Sequence, residues 1–325
     1  MQLPDLPVTV AGRRLVNPLG MLSGTYGYGT EVANAVEGVD LDKIGAVFLK
    51  GITLAPRRGN PTPRIVETPA GLLNAIGLEN VGVDVLIEEK LPRLAGSRTS
   101  VWANVSGSTM EEYGEICRRL NRVPAEHLDG VELNISCPNI KEGGIEFGTK
   151  PEPAAELTRI ARRELTLFAL MVKLSPHCAD IAEMALACVE AGADSLSISN
   201  TFRGLAIDVQ KRRAVLANNY GGVSGPAIKP MALAMVSACY HALRKAGKLV
   251  PLVGQGGVWS GRDAFEFILA GATVVGLGTV TFQDPLAPHR ILDELLGYLV
   301  GPRGTRRIRR RWRLVGSLLP NAREW

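Results

Sequence analysis

Eight short apolar runs, separated by stretches of helical periodicity, restrict the fold of this chain more than any other feature. They are GMLSG (20–24), AVFLKG (46–51), VWANVSG (101–107), VELNISC (131–137), LMVKLSP (170–176), SLSISNT (195–201), LVPLVGQGG (249–257) and TVVGLGT (273–279). Strands that alternate with helices form parallel sheets, because a parallel pair needs a long crossover and a helix supplies it. Eight such units predict an α/β fold closed as a (β/α)8 barrel rather than an open doubly wound sheet. Between the runs, ADIAEMALACVEAGA (179–193) puts Ile181, Met184, Ala185, Cys188 and Val189 on one helical face and ends at Gly192, a C-capping residue. Residues 262–271, RDAFEFILAG, repeat that design. Apolar residues make up 46% of the 325 and aromatics only 5%, so the core must be Val, Ile, Leu and Ala, the palette of buried parallel strands. Ahead of the first barrel strand, VTVAGRRLVNP (8–18) reads as a hairpin covering the barrel floor.

Charge divides the chain in two. The formal net charge is +5, yet residues 301–325 carry eight Arg and one Glu, a local +7 that leaves −2 for residues 1–300. The expected organisation is therefore a barrel over 1–300 and an Arg-rich tail over 301–325 outside its core. Any electrostatic footprint for RNA, an anionic membrane or an acidic partner would be confined to RRIRRRWRLV, and nucleic-acid binding by the barrel is not expected. No run approaches the roughly 18 apolar residues that cross a bilayer, and MQLPDLPVTV lacks a charged-then-apolar leader, so a cytoplasmic protein with no membrane span is expected. The five cysteines, Cys117, Cys137, Cys178, Cys188 and Cys239, are odd in number and lack metal-ligand spacing. They read as free thiols, with no metal site.

The strand ends carry the chemistry. In order they are Ser23, Lys50, Asn104, Asn134, Lys173, Asn200 with Thr201, Gly256 with Gly257, and Gly278 with Thr279. Active sites of such barrels lie at the C-terminal rim, and an unpaired desolvated polar group costs about 1–3 kcal/mol, so a rim this polar calls for a polar, planar ligand. The last two strands end in QGGV and GLGT, small residues at the loops where barrels frequently bind phosphate; alone, these glycines also read as ordinary tight turns. No GxGxxG opens a Rossmann unit and no GxxxxGK(S/T) is present. Two segments are too long to be simple connections: 52–75, with four prolines and no clear period, and 138–150, PNIKEGGIEFGTK, Gly-paired like a movable flap.

Together SGTYGYG, GNPTPRIVETPAGLLNAIGLEN, NISCPNIKEGG, VKLSP, ISNT, GGVSGPAIKP and GQGGV resemble the class 1 dihydroorotate dehydrogenases, most of all subgroup 1B, in collinear order from about residue 7 to 299. The resemblance implies an FMN-bound barrel that oxidises dihydroorotate to orotate in pyrimidine biosynthesis. It also implies a homodimeric core that passes electrons to NAD through a partner subunit carrying FAD and a 2Fe–2S cluster, forming a heterotetramer. Position by position, it makes Cys137 the catalytic base. It places Lys50, Asn74, Ala75, Ile76, Gly77, Leu78, Asn134, Asn200 and Thr201 on the substrate. On the flavin it places Ser23, Lys50, Gly51, Asn104, Asn134, Lys173, Ser199, Gly225, Gly256, Gly257, Gly278 and Thr279.

Several positions depart from that pattern. FLKGIT has Gly51 and Ile52 where a small residue and threonine are usual, and Ser199 stands at a usually aliphatic spot. His177 reads as a surface change, and His127, His241 and His289 as ordinary surface or helix histidines. Competing readings are a flavin-dependent dihydropyrimidine dehydrogenase of similar barrel, a fumarate-linked dihydroorotate dehydrogenase, and, in a different class, an RNA- or membrane-associated protein led by the Arg tail.

Overall fold

The computed structural model describes residues 6–136, 147–300 and 315–317. The chain opens with a short antiparallel hairpin, β1 (Val8–Val10) and β2 (Arg13–Leu15), before the first barrel strand β3 (Leu19–Met21) and then β4 (Ala46–Phe48). A second hairpin, β5 (Ile65–Thr68) and β6 (Gly71–Asn74), precedes β7 (Ser100–Val105), β8 (Gly130–Asn134), β9 (Ala169–Lys173) and β10 (Ser195–Ile198). Four short strands follow: β11 (Phe202–Leu205), β12 (Ile207–Asp208), β13 (Arg213–Ala214) and β14 (Tyr220–Ser224). The last two are β15 (Leu252–Gln255) and β16 (Val274–Leu277). Strands β3, β4, β7, β8, β9, β10, β15 and β16 close into one parallel barrel, each matching one apolar run of the sequence.

Alternation sorts each strand into two faces. Outward residues such as Val47, Val101, Val131, Leu170, Leu196 and Val275 join the helices in the larger core cluster. Inward residues Ala46, Phe48, Trp102, Ala169, Met171, Val253 and Val274 form a second cluster inside the barrel, and Val8, Val10 and Leu15 of the hairpin pack into it from below. The hairpin therefore plugs the floor, as its sequence suggests. Gly130 is required there: a Cβ would stand 2.3 Å from the Trp102 ring.

The helices follow their sequence signals. Asp180 caps the helix Ile181–Glu190 by accepting from Ala182 N and Glu183 N, and Gly192 just beyond it has φ +110°. Ser260 and Asp263 form a reciprocal capping box on Gly261–Ala270.

Residues 65–74 are not the aperiodic loop their sequence suggests. They form the β5–β6 hairpin, which β14 and β11 extend into a four-stranded antiparallel sheet over the C-terminal rim. The proposed flap lies mostly outside the described residues, but its end is anchored: Phe147 is buried edge-on against Tyr113, with centroids 6.0 Å apart. Of the tail, Val315–Ser317 is described. There Tyr240 Oη donates to Val315 O at 3.2 Å and Gly316 N to Ile268 O at 3.1 Å.

Candidate active site

A cavity of about 460 Å³ opens at the C-terminal ends of the barrel strands, beneath the antiparallel sheet. Lys50, Asn74, Ile76, Leu78, Asn134, Asn200 and Thr201 line it, as do Ser23, Gly51, Asn104, Lys173, Ser199, Gly225, Gly256, Gly257, Gly278 and Thr279. Ala75 and Gly77 do not. Ala75 N instead bonds Arg64 O at 2.8 Å, and Gly77, with φ +75°, abuts Asn60, so both shape the segment that carries Asn74, Ile76 and Leu78. Cys137 lies outside the described residues, although Ser136, its neighbour, is described.

The polar groups form directed chains. Asn200 Nδ2 donates to Asn134 Oδ1 at 3.0 Å while Asn200 Oδ1 accepts from Thr201 N at 2.9 Å, and Tyr113 Oη fixes the Asn134 carbonyl at 2.7 Å. With its Oδ1 engaged, Asn134 offers its amide hydrogens. Asn74 is held by Gly222 O at 3.3 Å, so the upper sheet positions a residue of the rim. Burial lowers the Lys50 pKa below the ordinary lysine value; the Glu79 carboxylate opposes that shift and Arg64 reinforces it. Arg64 and Glu79 are themselves ion-paired at the cavity edge.

Sequence reasoning passed over several lining residues, among them Gln255, Arg64, Glu79, Trp259 and Phe282. Gln255 and the buried Glu132 have the same inward parity as the rim residues, which is the signal that finds them. His177 is exposed but structural, since its Nε2 accepts from Arg203 N at 3.1 Å. His289, half-buried, accepts from Asp40 N at 3.3 Å. Burial pushes the Cys117 and Cys188 thiols up to about 12 and raises those of Cys239 and Cys178, so none of these four suits nucleophile or base chemistry near neutral pH. No cluster of metal ligands occurs among the described residues.

A second, open depression lies at the opposite end of the barrel, beside Ala11 and Arg13. Its cations are committed: Arg162 to Asp194 at 2.8 Å and Arg13 to Leu167 O at 3.2 Å.

The upper cavity fits FMN on two observations. Asn104 Oδ1 and Gln255 Oε1 are buried acceptors with no partner, waiting for donors such as ring N–H or ribityl hydroxyls. At the other end, Gly225, Gly256 and Gly257 all have positive φ, a backbone that side chains rarely adopt, and a Cβ on Gly257 would stand 2.8 Å from Gly225 O. A closed parallel barrel with a glycine cradle at the ends of its last strands and a ring of amides and lysines at its mouth defines a phosphate-anchored, ring-binding (β/α)8 enzyme.

The family model for dihydroorotate dehydrogenase matches residues 5–299, and the chain belongs to that family, in its class 1B branch. It is 54% identical over 300 residues to the catalytic subunit of dihydroorotate dehydrogenase B (NAD(+)) from Citrifermentans bemidjiense, covering 92% of this chain and 95% of that one. The corresponding subunit of Geotalea uraniireducens is 53% identical over 299 residues, with 92% and 94% covered. Among solved structures, the dihydroorotate dehydrogenase of Eimeria tenella in complex with ferulenol superposes with a TM-score of 0.75 at 25% identity, over 91% of this chain and 85% of that one.

Proposed function

We propose that this chain oxidises dihydroorotate to orotate in pyrimidine biosynthesis, with FMN in the upper cavity, as the catalytic subunit of an NAD-linked assembly. The observation that carries the reading is the convergence of Lys50, Lys173 and four asparagines on one cavity with a glycine cradle, in a chain more than half identical to B-type catalytic subunits. Bound FMN supplies an acceptor for the hydride that leaves carbon 6 of the substrate. Cys137 takes the proton from carbon 5, so the substrate loses one proton and one hydride and gains its ring double bond. A thiol with an ordinary pKa of about 8.5 suits that step once a neighbouring cation favours the thiolate. Asn74, Asn134 and Asn200, which both donate and accept, hold the amide-like edge of the substrate ring, and the Lys50 ammonium meets its carboxylate. Ile76 and Leu78 give apolar contact. Gly51 leaves room beside Asn104 Oδ1, only 2.9 Å from where a Cβ would be. Lys173, nearly fully buried and lining the same cavity, would supply positive charge to a reduced flavin ring bound there.

The assembly would include a partner subunit bearing FAD and a 2Fe–2S cluster to carry electrons toward NAD, around a homodimer of this chain in a cytoplasmic heterotetramer. Among the described residues no helix is long and apolar enough to cross a membrane. The reading predicts a yellow protein whose flavin bleaches on anaerobic addition of dihydroorotate and not of dihydrouracil. Purified protein without flavin, or bleaching by dihydrouracil alone, overturns it.

A further inference from the structure

Glu132 sits on β8, two residues before Asn134, and is wholly buried behind the cavity wall. Both its oxygens are engaged: Oε2 accepts from Asn104 Nδ2 and Oε1 from Ser197 Oγ, each at 2.6 Å. A carboxyl group removed from water is an expensive way to fill a barrel, and the layer just below manages with Met171 and Phe48. What Glu132 adds is direction. A carboxylate only accepts hydrogen bonds, so the Asn104 amide must turn its hydrogens back toward Glu132 and its Oδ1 toward Gly51 and the cavity. That Oδ1 is buried and unpartnered. Gln255, across the barrel on β15, shows the same design by other means. Its Nε2 donates at 2.8 Å to Ser199 O, a carbonyl that also only accepts, and its Oε1 is left buried and unpartnered at the same cavity. Two amides, each tied from behind to an obligate acceptor, thus present oxygen inward.

We infer that Glu132 is a positioning residue that locks Asn104 with its carbonyl oxygen toward the cavity, so that this wall takes a ligand edge carrying an N–H donor. The inference rests on the FMN reading, in which the flavin ring brings that edge; a flipped Asn104 would present hydrogens where an acceptor is needed.

Reversing the polarity of the pair tests it. Glu132→Gln is isosteric and keeps an acceptor for Ser197, but its amide can donate to Asn104 Oδ1 and so release the lock. The expected result is an FMN dissociation constant raised about tenfold, with a shifted midpoint potential of the bound flavin, while thermal unfolding of the flavin-stripped protein stays at the wild-type temperature. Asn104→Asp alone sets two carboxylates face to face and binds FMN more weakly still. In the double variant E132Q/N104D the introduced amide donates to the introduced carboxylate, whose second oxygen again faces the cavity, and the net charge is unchanged. Its FMN affinity should return to within about threefold of wild type, and its potential to the wild-type value. Wild-type FMN affinity and potential in E132Q, or a folded double variant no better than the single ones, overturns the inference alone. A wild-type protein that binds no FMN overturns the functional reading and this inference with it.

Discussion

The barrel interior has two tiers built by the same strands on the same face, and they obey different rules. Phe48, the last residue of β4, is followed two residues later by Lys50; on β7, Trp102 gives way to Asn104; on β9, Met171 to Lys173; on β15, Val253 to Gln255. The lower tier is sealed by Val8, Val10 and Leu15 of the hairpin, and what matters there is volume, as the close approach of Gly130 to Trp102 shows. The upper tier opens to the cavity, and what matters there is the direction of each hydrogen bond. Beneath the rim Glu132 is paired on both oxygens and Asn104 and Gln255 face the cavity, whereas Ser195 Oγ on β10 is buried without a partner. Stability and function are thus separated by a single alternation of the strand, about 6.6 Å along its axis.

If the tiers are independent, substitutions should divide cleanly between rate and stability. The largest effect is expected from Cys137→Ala, which removes the proposed base. The rate of flavin reduction by dihydroorotate, measured by anaerobic stopped flow at pH 7.5, should fall by roughly 100- to 10,000-fold with the melting temperature unchanged. A rate within a few-fold of wild type removes Cys137 from the mechanism. Next comes Trp102→Ala in the lower tier, expected to cost about 3–5 kcal/mol in denaturant unfolding because Gly130 and Phe48 cannot collapse into the space. Its FMN affinity should stay near that of wild type. A loss of affinity matching the loss of stability would show that the tiers are coupled.

The same contrast explains what the sequence disclosed. The lower tier and the outer face of each strand are legible because burial on both sides forces near-continuous apolar runs, and the hairpin because its alternation is regular. Rim residues are legible because alternation carries Asn134 inward from Val131 and Leu133. Reading only the end of each apolar run, however, passes over Glu132 and Gln255, which lie one inward step before Asn134 and Gly257. The upper sheet was hidden for another reason. Strands β11 and β14 are rich in glycine and half-exposed, and β14 pairs with β6 almost 150 residues earlier, so no local period announces them. Ala75 and Gly77 follow the end of β6 in irregular backbone, with Gly77 at φ +75°, so no strand period says which of their groups meets the cavity.

Lys50 offers a smaller test of the upper tier, read through pH. Its folded pKa is lowered, chiefly by burial, so between that value and the ordinary value of about 10.4 the unfolded chain holds a proton that the folded chain has released. Stability of the ligand-free protein should therefore rise with pH across that window and level off above it. Orotate binding runs the other way, because it needs the ammonium: its dissociation constant should increase between pH 7.5 and 10, as Lys50 loses its proton below the ordinary lysine range. Lys50→Met should bind weakly at every pH, and a flat profile in the wild type would show that Lys50 does not meet the carboxylate.

Asp180 sets the lower bound of the comparison, because it too is polar and follows the end of β9, only seven residues after Lys173, yet it serves a helix rather than a ligand. Its Oδ1 accepts from Ala182 N at 2.8 Å and from Glu183 N at 3.1 Å, satisfying two amides that the helix itself cannot. Asp180→Ala should cost about 1 kcal/mol of stability in denaturant unfolding, with FMN affinity and flavin reduction rate unaltered. The two residues differ in what they face: Asp180 Oδ1 is engaged by two backbone amides of the helix it caps, whereas Lys173 faces the cavity. An altered flavin affinity in the Asp180 variant would mean that the helix caps at the rim hold the upper tier in place, and that its geometry is not set by the strands alone.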